Sequence, residues 1–434
     1  MKKLGILAAL PLMLTTVTPT AAVAVDEALE CRGMPATVVG QPGEPEADVS
    51  GTEGDDVIVS NGAWKVYGYG GNDTICITGG GYVQVWAEEG DDVVDASAQP
   101  ASSSVTTALG DGDDTYLGHG GTDTVTTDPG PHSEEAGLGE DVVQTGGGRD
   151  IVESGTAGFP DEDMIDVGGG ADFIKIKGTT ARPITIAGGP GRDAVQWPWS
   201  TGPRQWTFDN RQGQVTRGGV VVAQVMGLED FDLLSLSNQD LTFIGSDRAE
   251  AVRVTRYVGA QTGTIQAVLA GGDDQIWVNA SQPLNLDGGS GRDAIDYRGS
   301  SSNEPPVTVD LRAGTVTRAG TVIAWGADFE DAVVQAPQRS RLVGTAGPND
   351  LVLRTCQGRV DGLGGDDSLS TSIKRVTCNG GSVEGVQLFG GPGADGLVGG
   401  IYRDRLYGGP GSDTADGGLD RDLCRAERRT SCER

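Results

Sequence analysis

Four aspartates near the C-terminal end of the 434-residue chain are spaced nine residues apart. They are Asp395, Asp404, Asp413 and Asp422, and each closes a block that opens with two glycines. Paired glycines permit left-handed backbone conformations, so each block can form a tight turn whose carbonyl groups point inward. Carboxylate and carbonyl oxygens in flexible loops are the ligands that Ca²⁺ takes, about 6–8 at a time. The spacing therefore predicts a series of calcium-binding turns.

The residues after each aspartate predict short strands between these turns. An apolar side chain follows two positions on, as Leu397 does after Asp395, which is the alternation of a half-buried strand. Two units of nine make a coil turn of eighteen residues, so loop 390–395 should stack on 408–413, and 399–404 on 417–422. Stacked strands lie about 4.8 Å apart, where two bare carboxylates repel by roughly 3 kcal/mol at an effective dielectric of about 20. The stack therefore needs a cation between its turns.

The complete unit, Gly390-Gly-Pro-Gly-Ala-Asp395, resembles the RTX (hemolysin-type) calcium-binding nonapeptide. This resemblance implies a β-roll that binds several calcium ions and folds when calcium is present. Asp395 and Asp413 rank ahead of Asp404 and Asp422, because only their loops keep all three glycines. The loop glycines that the resemblance assigns to these sites are Gly391, Gly393, Gly409 and Gly411. The alternative is a metal-free ladder in which the aspartates accept hydrogen bonds from backbone amides.

The glycine and aspartate pattern continues upstream with less regular spacing, where candidate loops also end at Asp114 and Asp163. We predict further metal ligands at Asp73, Asp92, Asp123, Asp141, Asp150, Asp172, Asp193, Asp274, Asp293 and Asp367. Asp56 and Asp350 end variant repeats, which resemble entry units and are weaker candidates.

Strand patterns are clearer than the loops in this upstream region. The pairs Ile75/Ile77, Ile174/Ile176 and Ile276/Val278 alternate with outward-facing residues, among them Cys76. No segment after the N-terminal region keeps a 3.6-residue apolar period. The fold class predicted is therefore all-β, a parallel β-roll or β-solenoid.

A longer repeat of about 100 residues overlies the short one. Gly188-Gly-Pro-Gly-Arg-Asp193 recurs as Gly288-Gly-Ser-Gly-Arg-Asp293, and Glu229-Asp230 recurs as Glu330-Asp331. We expect the two duplicated inserts to remain in the coil as metal-poor turns or a hairpin. The predicted organisation is a signal peptide (1–24), an N-terminal cap (25–50), a coil (51–195), a first insert (196–243), a coil (244–296), a second insert (297–343), a C-terminal β-roll (344–423) and a C-terminal cap (424–434).

The net charge limits the possible partners, and the N-terminal segment indicates the cellular compartment. The formal net charge is −30, which argues against nucleic acid as a partner. Lys2 and Lys3, an apolar run and Ala22-Val23-Ala24 have the pattern of a secretory signal peptide, and no later apolar run is long enough for a membrane span. We therefore expect an extracellular protein that is not membrane-embedded.

Six cysteines in an exported chain favour disulfides, although spacing alone leaves 15 pairings open. We predict the bonds Cys31–Cys76, Cys356–Cys378 and Cys424–Cys432.

Residues typical of catalysis are sparse. The two histidines, His119 and His132, lie in glycine- or proline-rich loops and outside any zinc-protease motif, and we expect His119 to be an exposed turn residue. Trp197, Trp199 and Trp206 suit either a sugar-stacking platform or packing between insert and coil, and we favour packing. The sequence thus favours a structural or adhesive calcium-binding protein, with a cell-surface or glycan ligand open, over a polysaccharide-active enzyme on a β-helix. It leaves the oligomeric state open.

Overall fold

The computed structural model describes residues 29–41, 48–127, 139–156, 162–178, 182–197, 205–235, 239–256, 263–278, 284–299, 305–336, 339–371 and 385–433. Within these ranges the chain consists of short strands joined by tight turns, and no helix is present. The all-β prediction is confirmed.

The strands of the N-terminal half are β1 (Glu30–Cys31), β2 (Met34–Pro35), β3 (Val38–Val39), β4 (Val49–Ser50), β5 (Val57–Val59), β6 (Lys65–Gly70), β7 (Thr74–Cys76), β8 (Tyr82–Glu89), β9 (Val93–Asp95), β10 (Ser104–Asp111), β11 (Thr115–His119), β12 (Thr122–Thr126), β13 (Val142–Gly148), β14 (Ile151–Ser154), β15 (Met164–Asp166), β16 (Gly169–Gly170), β17 (Phe173–Ile176), β18 (Ile184–Ala187), β19 (Ala194–Trp197), β20 (Gln205–Asp209), β21 (Gln214–Arg217) and β22 (Val220–Met226).

The strands of the C-terminal half are β23 (Asp230–Ser235), β24 (Asp240–Ile244), β25 (Ala251–Arg256), β26 (Ile265–Val268), β27 (Gln275–Val278), β28 (Leu284–Asp287), β29 (Ala294–Arg298), β30 (Val307–Asp310), β31 (Thr315–Arg318), β32 (Thr321–Ala327), β33 (Asp331–Gln335), β34 (Ser340–Val343), β35 (Asp350–Arg354), β36 (Gln357–Asp361), β37 (Ser368–Thr371), β38 (Gly385–Phe389), β39 (Gly396–Val398), β40 (Arg405–Tyr407), β41 (Thr414–Asp416), β42 (Leu423–Arg425) and β43 (Arg428–Thr430).

Two long parallel sheets run along the coil, and consecutive turns add a strand to each. The first sheet begins β3–β5–β7–β9–β11 and ends β38–β40–β42. The second begins β4–β6–β8–β10–β12 and ends β37–β39–β41–β43. In the C-terminal tract β39 pairs with β41 and β40 with β42, which confirms the eighteen-residue coil turn and the predicted stacking of its loops.

A narrow apolar core lies between the two sheets, because alternate residues of each strand point inward. In β8 the buried positions alternate with half-buried or exposed ones along Tyr82–Glu89. Ile75 and Ile77 are fully buried, and so are the corresponding pairs near residues 174 and 276. Burying such a side chain contributes about 1.5–3 kcal/mol, which makes the core the main stabilising term of the coil. Each turn therefore depends on its neighbours for burial.

The duplicated segments form antiparallel meanders that are built into the first sheet. In the first copy β20, β21 and β22 pair antiparallel, while β22 joins β18 and β20 joins β24 in parallel. In the second copy β30, β31 and β32 repeat this arrangement between β28 and β34. The coil is thus continuous through both inserts. The domain boundaries given above remain predictions.

Aromatic residues pack where the first meander meets the coil. Trp197 and Trp206 are buried, and the ring of Phe208 lies 5.4 Å from that of Trp197. This arrangement is the packing that the sequence favoured over a sugar platform. Trp199 lies outside the described residues.

A disulfide bond lies at each end of the coil. Cys31 of β1 bonds Cys76 of β7, so the outward-facing Cys76 ties the N-terminal hairpin to the first sheet, and Cys424 bonds Cys432. Both predicted pairs are confirmed. Cys356 is disulfide-bonded, and its predicted partner Cys378 lies outside the described residues.

Candidate calcium-binding ladders

A buried acidic side chain stands at the start of many coil strands. The backbone N–H of one such residue donates to the carboxylate of the corresponding residue one coil turn later. Asp395 N–H donates to Asp413 Oδ1 at 3.0 Å, and Asp404 N–H donates to Asp422 Oδ1 at 2.8 Å. We call each such residue a rung and each series of stacked rungs a ladder.

Three ladders follow the edges of the two sheets. The first ladder, on the first sheet, contains Asp56, Asp73, Asp92, Asp114, Asp141 and Asp163. The second ladder, on the second sheet, consists of three hydrogen-bonded series that strand pairing stacks on one another. They are Asp123, Asp150, Asp172, Asp193 and Glu229; then Glu250, Asp274, Asp293 and Glu330; then Asn349, Asp367, Asp395, Asp413 and Glu427. The third ladder, near the C-terminal end of the first sheet, contains Asp404 and Asp422.

The second carboxylate oxygen of most rungs is buried without a hydrogen-bond donor. Such oxygens belong to Asp73, Asp92, Asp114, Asp150, Asp172, Asp193, Glu250, Asp274, Asp293, Asp367, Asp395, Asp413 and Asp422. A buried charged acceptor without a partner is costly, and native proteins keep few of them. This recurring orphaned oxygen is the feature that a bound cation would satisfy.

Glycine at the start of each loop makes room for this oxygen. A Cβ at Gly390 would lie 2.2 Å from Asp395 Oδ2, and one at Gly408 would lie 2.1 Å from Asp413 Oδ2. The first glycine of the unit is therefore required by the orphaned carboxylate itself.

Burial raises the pKa of many rung carboxyls, and neighbouring carboxylates add to the effect. Burial raises the pKa of Asp114 to about 8, and those of Asp73 and Asp92 to about 7. It also raises the pKa of Asp274 to about 7 and that of Asp293 to about 6. The cause is the same throughout, a charge removed from water beside other carboxylates. The negative charge at these five rungs is therefore not compensated by protein groups.

The donor set of these loops fits a hard divalent cation such as Ca²⁺, which accepts carboxylate and backbone carbonyl oxygens. Loop 390–395 and loop 408–413 lie in close contact, since a Cβ at Gly411 would lie only 1.5 Å from the carbonyl oxygen of Gly393. No three His, Cys, Asp or Glu side chains converge in the part of the chain that the structure describes. Asp395 and Asp413, with carbonyl groups of these two loops, are the residues that would hold the ion.

The predicted loop glycines have the backbone conformation that the turns need. Gly391 and Gly409 have φ of +113° and +118°, and a Cβ on either would collide with a carbonyl oxygen of the preceding turn. Gly393 and Gly411 approach the preceding turn equally closely. These positions hold the loops at stacking distance.

The structure separates Asp404 from the other three aspartates of the C-terminal tract. Both oxygens of Asp404 accept backbone N–H groups, from Val386 and Gly400 at 2.7 Å each. Asp395, Asp413 and Asp422 instead each keep an orphaned oxygen. The assignment of individual metal ligands remains a prediction, and this difference favours ranking Asp395 and Asp413 ahead of Asp404, whereas it does not distinguish them from Asp422.

Asp123 differs from the other predicted ligands. Its Oδ1 accepts from Tyr116 Oη at 2.7 Å and lies 2.9 Å from His119 Nδ1, and its Oδ2 accepts the His119 N–H at 3.1 Å. The expectation of an exposed His119 is wrong, because its side chain is buried against this carboxylate. His132 lies outside the described residues.

In the two variant repeats that end at Asp56 and Asp350, protein groups donate hydrogen bonds to the side chain of the rung. Asp56 Oδ2 accepts from the hydroxyl and the N–H of Thr52, and its Oδ1 accepts from the Thr37 hydroxyl. In the other repeat the rung is Asn349, whereas Asp350 is exposed in β35. The assignment of Asp350 is therefore corrected to its neighbour.

The sequence reasoning did not select several rungs as site residues. These are Asp114, Asp163, Glu229, Glu250, Glu330, Asn349 and Glu427. A buried apolar residue two positions after the rung, as Val252 follows Glu250 and Leu351 follows Asn349, is the signal that identifies most of them.

A second row of side chains explains the recurring Asp-Asp pairs. The residue before a rung accepts from the turn that follows it, as Asp55 Oδ1 accepts from Asn72 N–H and Asp113 Oδ1 from Glu140 N–H. The rung accepts from the turn that precedes it. Paired acidic residues therefore bond in both directions along the coil, one exposed and one buried.

Parallel sheets, glycine turns and buried carboxylate ladders together define a calcium-binding β-roll. The family described as the RTX calcium-binding nonapeptide repeat matches residues 67–99, 135–156 and 389–424, in four copies. The chain therefore carries RTX-type calcium-binding nonapeptide repeats. These matches include the rungs Asp73, Asp92, Asp141 and Asp150 and the four aspartates of the C-terminal tract. No curated protein matches the chain.

Proposed function

We propose that this protein is a secreted β-roll with a structural or adhesive role outside the cell, stabilised by Ca²⁺ between its stacked loops. The observation that carries this proposal is the series of buried carboxylate oxygens that no protein group satisfies. Calcium would neutralise the negative charge of the ladders and would coordinate the carboxylate oxygens that lack a hydrogen-bond donor. Without it, folding must bury repelling charges or protonate them.

Several features support an extracellular setting. The disulfides at both ends of the coil are typical of oxidising compartments, and the N-terminal segment has the composition of a signal peptide. Extracellular calcium modules have dissociation constants of about 10⁻⁴–10⁻³ M, so that sites of this class fill only where calcium is abundant. No membrane-spanning helix is found among the described residues. The chain would then order after export.

A non-enzymatic role agrees best with the repeats, and the matches do not favour a polysaccharide-active enzyme. Incubation of the purified chain with bacterial and plant polysaccharides, followed by chromatography of the products, tests this part. We expect retention of a glycan or of cells without new reducing ends. Release of oligosaccharides would instead support the enzyme.

Calcium dependence is tested by far-ultraviolet circular dichroism and thermal unfolding in EGTA, in CaCl₂ and in MgCl₂. At 10 mM calcium, sites with dissociation constants of about 10⁻⁴–10⁻³ M each add about 1.4–2.7 kcal/mol to the free energy of unfolding. We expect calcium to raise the unfolding temperature strongly and magnesium to raise it much less. Identical unfolding in EGTA and calcium would contradict the proposal.

Paired variants assign the effect to the ladder. Asp395→Asn with Asp413→Asn should reduce the calcium-induced stabilisation, while the same variant in EGTA should be at least as stable as wild type, because it removes uncompensated charge. Asp350→Asn removes one exposed carboxylate outside the ladder and serves as the control. Equal calcium responses of the ladder variant and the control would exclude this pair as ligands.

A further inference from the structure

Protein groups take the place of a cation at particular rungs of the second ladder. The first of these is Asp123, whose carboxylate is fully buried and is contacted by the Tyr116 hydroxyl and by the side chain and N–H of His119. Asp123 has no orphaned oxygen, in contrast to Asp172 and Asp193 further along the ladder.

The second such rung is Glu229, at the end of the first meander. Its Oε2 accepts the Asp193 N–H at 3.0 Å, and its Oε1 accepts from Arg248 Nη1 at 2.7 Å. The carboxylate is nearly buried, whereas the arginine reaches it from the surface. A guanidinium thus supplies here the positive charge that other rungs lack.

The third such rung is Asn349, which is neutral. Its side-chain oxygen accepts the Thr345 N–H at 2.8 Å, and its side-chain nitrogen donates to the carbonyl of Glu330 at 2.6 Å. Its own N–H donates to Asp367 Oδ1 at 2.9 Å, so a neutral rung begins this hydrogen-bonded series.

We propose that Asp123 at the start of the second ladder, and Glu229 and Asn349 within it, delimit three calcium-binding segments that fill separately. The segments are residues 150–193, 250–293 and 367–413, and each contains orphaned carboxylate oxygens. This inference rests on the proposed calcium function. It adds that Asp123, Glu229 and Asn349 hold no ion, and that occupancy of one segment does not require occupancy of the next.

The boundaries at Glu229 and Asn349 can each be converted into a metal site by changing one residue. Asn349→Asp places a carboxylate beside Asp367, and Arg248→Gln removes the guanidinium from Glu229 while keeping a side-chain donor. We expect each variant to bind one more calcium ion per chain than the wild type, measured by equilibrium dialysis with atomic absorption. Gln224→Glu adds an exposed carboxylate on β22 and should leave the number unchanged.

The outcomes separate this inference from the function on which it rests. A wild-type chain that binds no calcium would overturn the proposed function. A wild-type chain that binds calcium, with the same number of ions in Asn349→Asp and Arg248→Gln, would overturn the division into segments alone. Circular dichroism of each variant in saturating calcium establishes that it is folded, and a gain in either variant supports its boundary.

Discussion

The two duplicated meanders share one architecture and differ in the protein groups that compensate the negative charge of the neighbouring rungs. Both place an antiparallel three-stranded unit in the first sheet and a glutamate rung directly after it. Both also pair an arginine before the preceding rung with the aspartate after that glutamate, Arg192 with Asp230 and Arg292 with Asp331. The shared contacts are those that set the path of the chain.

The differences fall on the next rung. In the first copy the rung is Glu250, whose Oε1 accepts from Ser246 and from the Asn210 side chain at 2.8 Å. In the second copy Asn349 stands at the position of Glu250, and Leu311 stands at the position of Asn210. The side-chain amide therefore belongs to the meander in the first copy and to the rung in the second. The coil geometry therefore requires an acceptor at each rung, whereas the source of the compensating charge can vary.

The largest expected effect concerns pH, because it acts on every uncompensated rung at once. Burial raises the pKa of Asp274 in the first copy's segment, and that of Asp367 after the second copy, to about 7, above the ordinary value of 3.8. The metal-free folded state therefore holds these protons more tightly than the unfolded state. Its stability should be greatest near pH 4 and should fall as the pH rises through about 7.

Urea titrations in EGTA between pH 4 and pH 8 measure this dependence. In calcium the trend should reverse, because protons compete with the ion for the same oxygens. Asp361 contrasts with the rungs because it is a buried carboxylate that protein cations compensate. Burial alone would raise its pKa, but Arg359 and Arg341 hold the pKa below the ordinary value. Stability of the metal-free protein that rises across this whole range would contradict the account of the ladders.

The next effect tests the close stacking that both copies share. A Cβ at Gly191 would lie 1.7 Å from the Gly170 carbonyl oxygen, and one at Gly291 the same distance from that of Gly272. Alanine at either position should force the loops apart and cost roughly 3 kcal/mol in the free energy of unfolding, from strain and lost hydrogen bonds.

Gly219 and Gly320 are matched controls for these substitutions. They lie at the hairpin tips with φ near +80°, and a Cβ there meets nothing within 4 Å. Alanine at these positions should cost only about 1 kcal/mol. Equal losses at the stacked and open glycines, measured by urea unfolding in calcium, would mean that stacking distance is unimportant.

A smaller effect is expected from the arginine that only the first copy has. Arg248→Ala leaves the Glu229 carboxylate nearly buried without its cation, which should cost about 2 kcal/mol in EGTA. Arg292→Ala, which breaks an exposed pair, should cost less than about 1 kcal/mol. Thermal unfolding of both variants checks this, and an equal loss would remove the special role of Arg248.

The smallest expected difference comes from the exchanged amide. Asn210→Ala removes a hydrogen bond to the charged Glu250 and should cost about 1–2 kcal/mol, more in EGTA than in calcium. Leu311→Ala in the second copy removes partly buried apolar surface and should cost about 1 kcal/mol in either condition. Urea titrations of both variants in EGTA and in calcium measure these losses of unfolding free energy. A loss in Leu311→Ala that also depends on calcium would contradict this reasoning.

The sequence predicted the coil best where repeats are regular. Spacing alone predicted that the loop of Asp395 stacks on the loop of Asp413, and the structure joins these two rungs by a hydrogen bond. The predicted Cys31–Cys76 bond is also present. The sequence reasoning missed Glu229, because the meander separates this rung from Asp193 by 36 residues and because glutamate replaces aspartate. Such insertions are accommodated by the sheet, so nine-residue spacing fails although the register continues.

Two errors have a local physical origin. In Asn349-Asp350 either residue is able to serve as the rung, and a slip of one position moves a strand residue to the opposite face. His119 lies between glycines, which suggested exposure, but the turn directs it towards Asp123 four residues later. Contacts that depend on the direction of a turn are not readable from composition.

The most direct test is a crystal structure of the chain in millimolar calcium, with anomalous scattering data collected at long wavelength to locate the ions. The account predicts anomalous peaks beside the orphaned oxygens of Asp395, Asp413, Asp274 and Asp293, and no peak at Asp123 or Asn349. Ladders without any peak, or a peak at Asn349 equal to that at Asp413, would contradict it.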